Sequence, residues 1–454
     1  MGMNPAMNIR RLSLAQLALL VIGIALGLAG LFGARIGLIG VQPFSGGQII
    51  VLLVAVLLIY IGAVDRSRST RGLASLQRGV GGVIVIIAAT LIGMEFFSLL
   101  ALNMIGLRVT AVDNTARQTG DLTANLSYYR EVEWAAQYFT DYSHVGFDYV
   151  PYLVWRHRPM ESATINIDAN GNRRTPDTRC DDANAFTLFV FGGSTMWGQG
   201  VPDEYTIPAY LQQEWDARQS RPLCIVNFGA WAYVSTQESI LLLTELQQGN
   251  IPDAAVFYDG HNDTYAAYQN GRAGAHQNFR TFAARFSAET PPPLVQMLQQ
   301  TYTFGLIRLF VESQAALESV TYESMGVDAD VLAQDVINAY DVNRSVIEGL
   351  AGRYDFDVWF FWQPDILVTG KVLNEQETRL RDGIDPPFVR LLTRTYALIE
   401  SEFDPNQNFY SLMRALDNSE DTIWVDYVHL SPEGNAIIAR AMMDVIEPEL
   451  EIAE

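Results

Sequence analysis

Residues 186–195, FTLFVFGGST, decide the fold. Six consecutive apolar or β-branched residues are too few for a globular helix, and they show no alternation that would leave one face wet. They read as a strand buried on both faces, stopped by Gly192-Gly193. The pattern returns downstream at 224–228 before Gly229, at 254–258 before Gly260, at 358–362 and at 422–425. Helical sequence lies between these runs, at about 207–218, 236–248 and 328–353, and again from Ser431-Pro432, where Ser suits the N-cap and Pro the first helical position. Buried strands alternating with helices predict an α/β domain over residues 184–454, with a parallel sheet covered on both faces. Ligands of such sheets sit at the carboxyl ends of the strands.

Four of those strand ends carry residues with chemical uses. The first gives Ser194, a hydroxyl in a glycine turn; the second gives Gly229; the third gives Gly260-His261-Asn262-Asp263; the fifth gives Asp426-Tyr427-Val428-His429. Each has an ordinary reading when taken singly: a turn serine, a loop glycine, an Asx-turn, a solvated His and Asp. Together they fill every role in acyl transfer. Ser194 is the candidate nucleophile and His429 its base, with Asp426 fixing the imidazole tautomer. The Ser194 and Gly229 backbone N–H groups and the Asn262 side chain are the candidate oxyanion hole.

This set resembles the SGNH (GDSL-like) hydrolase family, whose blocks centre on Ser, Gly, Asn and His. The matches are Gly192-Gly193-Ser194, Gly229, Gly260-His261-Asn262-Asp263 and Asp426-Tyr427-Val428-His429, and the likeness covers about residues 184–447. The resemblance implies a flavodoxin-like three-layer α/β/α domain that hydrolyses carboxylic esters or thioesters without a cofactor or metal. Gly193 stands where the family has Asp, which places the turn geometry in question. An α/β-hydrolase is disfavoured, because Met196 occupies the second glycine of Gly-x-Ser-x-Gly. The segment 151–156 (PYLVWR), Asn166 and Gly171-Asn172-Arg173-Arg174 look like the lead-in of membrane-anchored bacterial members. Trp362-Gln363-Pro364 resembles those members too, and Gln363 either lines the cleft or sits in a loop.

The remainder of the chain differs in character. Residues 1–110 hold eight arginines, no lysine, Asp65 and Glu95, a net of +6; 22 basic against 49 acidic residues give the rest a net of −27. An acidic body offers no stripe for phosphates and argues against nucleic acid. Apolar runs at about 14–33, 47–64 and 80–104 predict three transmembrane helices. Arg10 and Arg11 precede the first, and Arg66, Arg68, Arg71 and Arg78 separate the second from the third. That asymmetry places the N-terminus in the cytoplasm and the hydrolase domain outside the cell membrane. A cleavable signal peptide competes for the first run. Glu95, inside the third run, is either a contact for a membrane partner or a helix-paired carboxyl.

Residues 111–183 read as a connecting segment that packs on the hydrolase domain, with an extended piece at 163–167. Residues 264–327, containing Pro291-Pro292-Pro293, interrupt the strand–helix alternation as an insertion, either a flap over the site or a packed excursion. Cys180 and Cys224 either pair or pack as two buried thiols. His144, His157 and His276 lack metal-ligand spacing, and Lys371, the single lysine, is assigned no role.

The expected protein is a membrane-anchored serine esterase acting on a carboxylic ester, an acetyl ester of an envelope or extracellular glycan. The alternatives are an O-acyltransferase to a glycan, a lipid esterase, or a non-catalytic envelope assembly protein that kept the fold.

Overall fold

The computed structural model describes residues 13–32, 46–63, 90–103, 127–287, 298–315, 320–403 and 408–453, with 75, 79–80, 82–84, 86–87 and 295 besides. The chain divides into two units: Met1–Thr110 with Ala288–Ser319, and Ala111–Ser287 with Val320–Glu454.

In the larger unit, an antiparallel hairpin of β1 (Phe147–Val150) and β2 (Val154–His157) precedes a five-stranded parallel sheet. The sheet consists of β3 (Phe186–Gly192), β4 (Leu223–Asn227), β5 (Ala254–Asp259), β6 (Asp357–Trp362) and β7 (Phe409–Ser411), in the order β4-β3-β5-β6-β7. Numbered within the sheet this is 2-1-3-4-5, the flavodoxin-like doubly wound order, whose switch point lies between the first and third strands. Alternate residues of β3 serve opposite faces, as the pleat requires. Phe189 and Phe191 pack with Leu241, Leu332 and Phe388 on one side, while Leu188 and Val190 pack with Leu211, Trp215 and Ile438 on the other. Helices Ser235–Gln247, Ala329–Tyr354 and Pro386–Glu402 cover the first face; Ile207–Arg218 and Pro432–Ala453 cover the second. Asp328 caps the long helix, its carboxylate accepting from the Asp330 and Val331 N–H groups.

Two expectations change, and one open alternative closes. The fifth strand is Phe409–Ser411, and 422–425 is not a strand; Trp424 makes only an isolated bridge to Leu430. The Ile423 and Trp424 N–H groups donate to the buried Glu377 carboxylate (2.9 and 3.1 Å), so that apolar run is buried without a neighbouring strand. The extended piece at 163–167 is irregular, with Ile167 bridging Met160 and Arg173. Cys180 and Cys224 form a disulfide, which ties the lead-in to β4.

In the smaller unit, helices Leu14–Phe32 and Gly46–Ala63 pack on one another. The expectation of three transmembrane helices is not supported: among the described residues no helix is long and apolar enough to cross a membrane. Nineteen and 18 residues at about 1.5 Å each reach roughly 27–29 Å, just under the ~30 Å hydrocarbon core. Only residues 90–103 form a continuous described stretch of the third run, and Arg10, Arg11, Arg35, Arg66, Arg68, Arg71 and Arg78 lie outside the described residues. Glu95 is helix-paired: it accepts from the Tyr302 and Thr303 N–H groups and from the Thr303 hydroxyl (2.7 Å), at the start of helix Tyr302–Ala315. A carboxylate suits that place, because the first N–H groups of a helix lack partners and carry positive dipole. The expected insertion therefore divides. The helix His261–Asn270 and the residues from there to Ser287 belong to the larger unit, while Ala288–Ser319 belongs with the N-terminal segment.

Candidate active site

β3 and β5 pair so that Gly192 lies opposite Tyr258. The chain leaves them on either side of the switch point, which brings Ser194 and Asn262 to the same place. Ser194 opens a single helical turn, Ser194–Trp197, and its side chain is almost fully buried. Its Oγ–H donates to His429 Nε2 at 2.7 Å. The His429 Nδ1–H donates to Asp426 Oδ2 at 2.6 Å, and the other Asp426 oxygen accepts from the His429 and Val428 N–H groups at 2.6 and 2.8 Å. A carboxylate only accepts, so it holds the proton on Nδ1 and leaves Nε2 to accept from the Ser194 hydroxyl. Burial works against the Asp426 charge. The His429 charge and the hydrogen bonds from its ring, its N–H and the Val428 N–H outweigh burial and hold the carboxyl below its ordinary range.

Asn262 is fixed in both halves of its amide. Its Oδ1 accepts from Gln277 Nε2 (3.2 Å), and its Nδ2 donates to the Tyr233 carbonyl (2.8 Å). An amide nitrogen carries two protons, so one N–H is left to serve a ligand. That nitrogen presses on Gly193: a Cβ there would meet Asn262 Nδ2 at 2.0 Å. Gly193 has φ −77°, so its requirement is steric. The glycine is thus what lets the asparagine approach the Ser194–Trp197 turn.

Gly229 lies in the loop after β4. Its N–H donates to Asn227 Oδ1 at 3.0 Å and is already engaged. It also has no room for a side chain, since a Cβ would meet the Trp197 nitrogen at 2.5 Å, where the Ser194–Trp197 turn backs onto the loop. Gln363 is buried beside this turn, accepting from the Thr195 hydroxyl at 3.4 Å.

The lead-in, whose residues carry no recognisable chemistry of their own, holds these loops in place. Arg173 is fully buried and donates to Asp203 (2.7 Å) and to the Gly198 and Val201 carbonyls, with its guanidinium over the Trp197 ring. Asn166 donates to the other Asp203 oxygen. Arg156 reaches the Phe228 carbonyl, Trp155 donates to Trp231 O, and the Tyr233 hydroxyl donates to Trp155 O. Tyr129, Tyr138 and Phe139 pack with Trp197 and Val425. His157 is buried against Trp197, and burial, then Arg156 and Arg173, keep it neutral. Lys371 is buried as well, paired with Glu377 at 2.8 Å.

A second buried His–Asp pair stands beside the first: His261 Nδ1–H donates to Asp365 Oδ2 at 2.6 Å and anchors the residue before Asn262. Behind Asn262, Glu238, Asp259 and Asp263 are buried together. Burial raises all three carboxyls, Asp263 to about 6, and the neighbouring acids push Glu238 and Asp259 higher still. A folded-state pKa above the unfolded value favours the folded protein at low pH. This contribution is complete below about pH 4 and is lost as pH rises through 6 and beyond. Glu238→Gln is therefore expected to lessen the fall in thermal midpoint between pH 5 and pH 8. A slope identical to wild type would mean that these carboxyls are ionised in the folded state.

No protein-family model matches the chain, and no curated protein matches it. Solved structures similar to it include the psychrotrophic esterase EstA from Pseudoalteromonas sp., at 12% identity over 59% of this chain and 99% of that one, with TM-score 0.31. The lipase/acylhydrolase from Enterococcus faecalis matches at 10% over 58% and 96%, TM-score 0.31. The Ser-to-Ala mutant of the acetylxylan esterase Axe2 from Geobacillus stearothermophilus matches at 14% over 58% and 94%, TM-score 0.30.

Proposed function

We propose that the chain is a serine hydrolase of carboxylic esters, with Ser194, His429 and Asp426 as its triad. The observation that carries this reading is the unbroken chain of short hydrogen bonds from the Ser194 hydroxyl through His429 to the buried Asp426. His429 Nε2 takes the serine proton as Oγ adds to the ester carbonyl carbon. The oxyanion formed is met by the Ser194 N–H and the remaining Asn262 Nδ2–H. The imidazolium then returns its proton to the departing alkoxide, leaving an acyl-serine. Water, losing a proton to His429, releases the acid and restores the serine. The Gly229 N–H joins the oxyanion donors only by giving up Asn227.

Among acyl groups an acetyl is the reading favoured, carried on an envelope or extracellular glycan. The Cys180–Cys224 disulfide supports an oxidising compartment.

Asn262→Ala tests the oxyanion assignment. It is expected to lower kcat for 4-nitrophenyl acetate by about 10²–10³-fold with KM nearly unchanged, the scale for one lost oxyanion donor. A kcat within twofold of wild type would remove Asn262 from the mechanism.

A further inference from the structure

Beside the triad the structure holds a pocket of about 370 Å³ whose construction differs from the buried Ser194 turn. Tyr265, Tyr268, Phe388 and Tyr427 form its aromatic lining, and Arg379 and Asp385 give it charge. It adjoins the catalytic residues through two elements. Tyr427 lies between Asp426 and His429 on the catalytic loop, and Tyr265 stands one helical turn after His261, the residue before Asn262. The His261 ring ties them together, stacked on Tyr265 at 5.9 Å and tilted against Tyr427 at 5.3 Å. The Tyr265 and Tyr427 rings are stacked within 25° of one another, and Tyr427 is 39% exposed. Phe388 meets His261 and Tyr265 edge-on and so braces the row. The Tyr268 hydroxyl donates to Asp385 Oδ2 at 2.5 Å, which fixes the carboxylate.

From this we infer that the pocket is a saccharide subsite, holding a sugar ring of an acylated glycan while its ester carbonyl meets Ser194; the inference rests on the ester-hydrolase reading above. A pyranose has flat C–H faces and a rim of hydroxyl groups. Aligned, pre-packed aromatic rings match the faces at little entropic cost, and a fixed carboxylate with a guanidinium matches the rim. A fatty acyl chain fits this pocket poorly, since it would strip water from Asp385 and Arg379 and supply no hydrogen bond in return.

Binding can be read without turnover, in full-length Ser194→Ala protein titrated calorimetrically with partially O-acetylated cellotetraose. In that background Tyr427→Ala is expected to weaken binding by about tenfold, the loss of one aromatic contact of roughly 1.4 kcal/mol. Tyr427→Trp, which keeps a flat ring, stays within about threefold, and the thermal midpoints of both show that the loop is folded. No binding of the tetrasaccharide, equal binding by Tyr427→Ala, or a loss with Trp as large as with Ala would overturn the inference. So would octanoate binding more tightly than the sugar and depending on Tyr427, which would assign the pocket to an acyl chain. Tyr427-dependent binding in a protein whose wild type shows no Ser194-dependent hydrolysis would keep the subsite and sink the esterase reading.

Discussion

Ser194→Ala is expected to reduce kcat for 4-nitrophenyl acetate by roughly 10⁶-fold, with the thermal midpoint shifted by no more than a few degrees. The scale is that of a serine nucleophile whose loss disables the whole triad at once. The adjacent hydroxyl does not stand in for it, because Thr195 is turned to Gln363. His429 without its serine can still assist a water, and donors at the oxyanion position remain, so a residual rate above the buffer background is expected. The variant removes a single oxygen from a closely packed turn, which is why its fold should survive. Activity within tenfold of wild type would place the nucleophile elsewhere.

The largest effect on stability is expected far from any reacting atom, at the single lysine. Lys371 Nζ and Glu377 are both essentially inaccessible to solvent, and Glu377 also accepts from the Asn374, Ile423 and Trp424 N–H groups. The pair therefore pins the backbone two residues before Asp426. Lys371→Ala leaves an uncompensated carboxylate in the interior, a loss of about 3–5 kcal/mol. For a domain of this size that lowers the thermal midpoint by roughly 10 °C, and turnover should fall too as the catalytic loop loosens. Adding Glu377→Gln removes the stranded charge and should restore part of the midpoint, measured by thermal denaturation of the single and double variants. A midpoint unchanged in Lys371→Ala would mean that the pair contributes nothing net.

Lys371 also shows where sequence reading stops. A lone lysine carries no pattern, and its use depends on a helix cap and a loop that come together only in the folded chain. The parallel sheet is legible because strands buried on both faces leave uninterrupted apolar runs. The same rule misplaces the last strand, since the Ile423-Trp424-Val425 run is buried by a carboxylate and a helix instead of by a neighbouring strand. Ser194 and Asn262 can be found because each follows a strand end, and Asp426 and His429 because their three-residue spacing lies in the loop before the helix Pro432–Ala453. Gly229 reads as a donor; in the structure its N–H meets Asn227, and its absent side chain admits Trp197, an approach that no spacing rule shows. Gly193, which placed the turn geometry in question, leaves the space that Asn262 occupies. Gln277, Tyr233 and the Arg173–Asp203 pair act over long sequence separations, and no spacing rule links them to the serine.

The most direct test of the central claim is covalent. Full-length protein treated with a fluorophosphonate should gain the mass of one phosphonyl group, located by peptide mass spectrometry on Ser194 and strongly reduced in His429→Ala. A folded protein that gains no adduct, or carries it on another residue with Ser194 unmodified, would contradict the assignment.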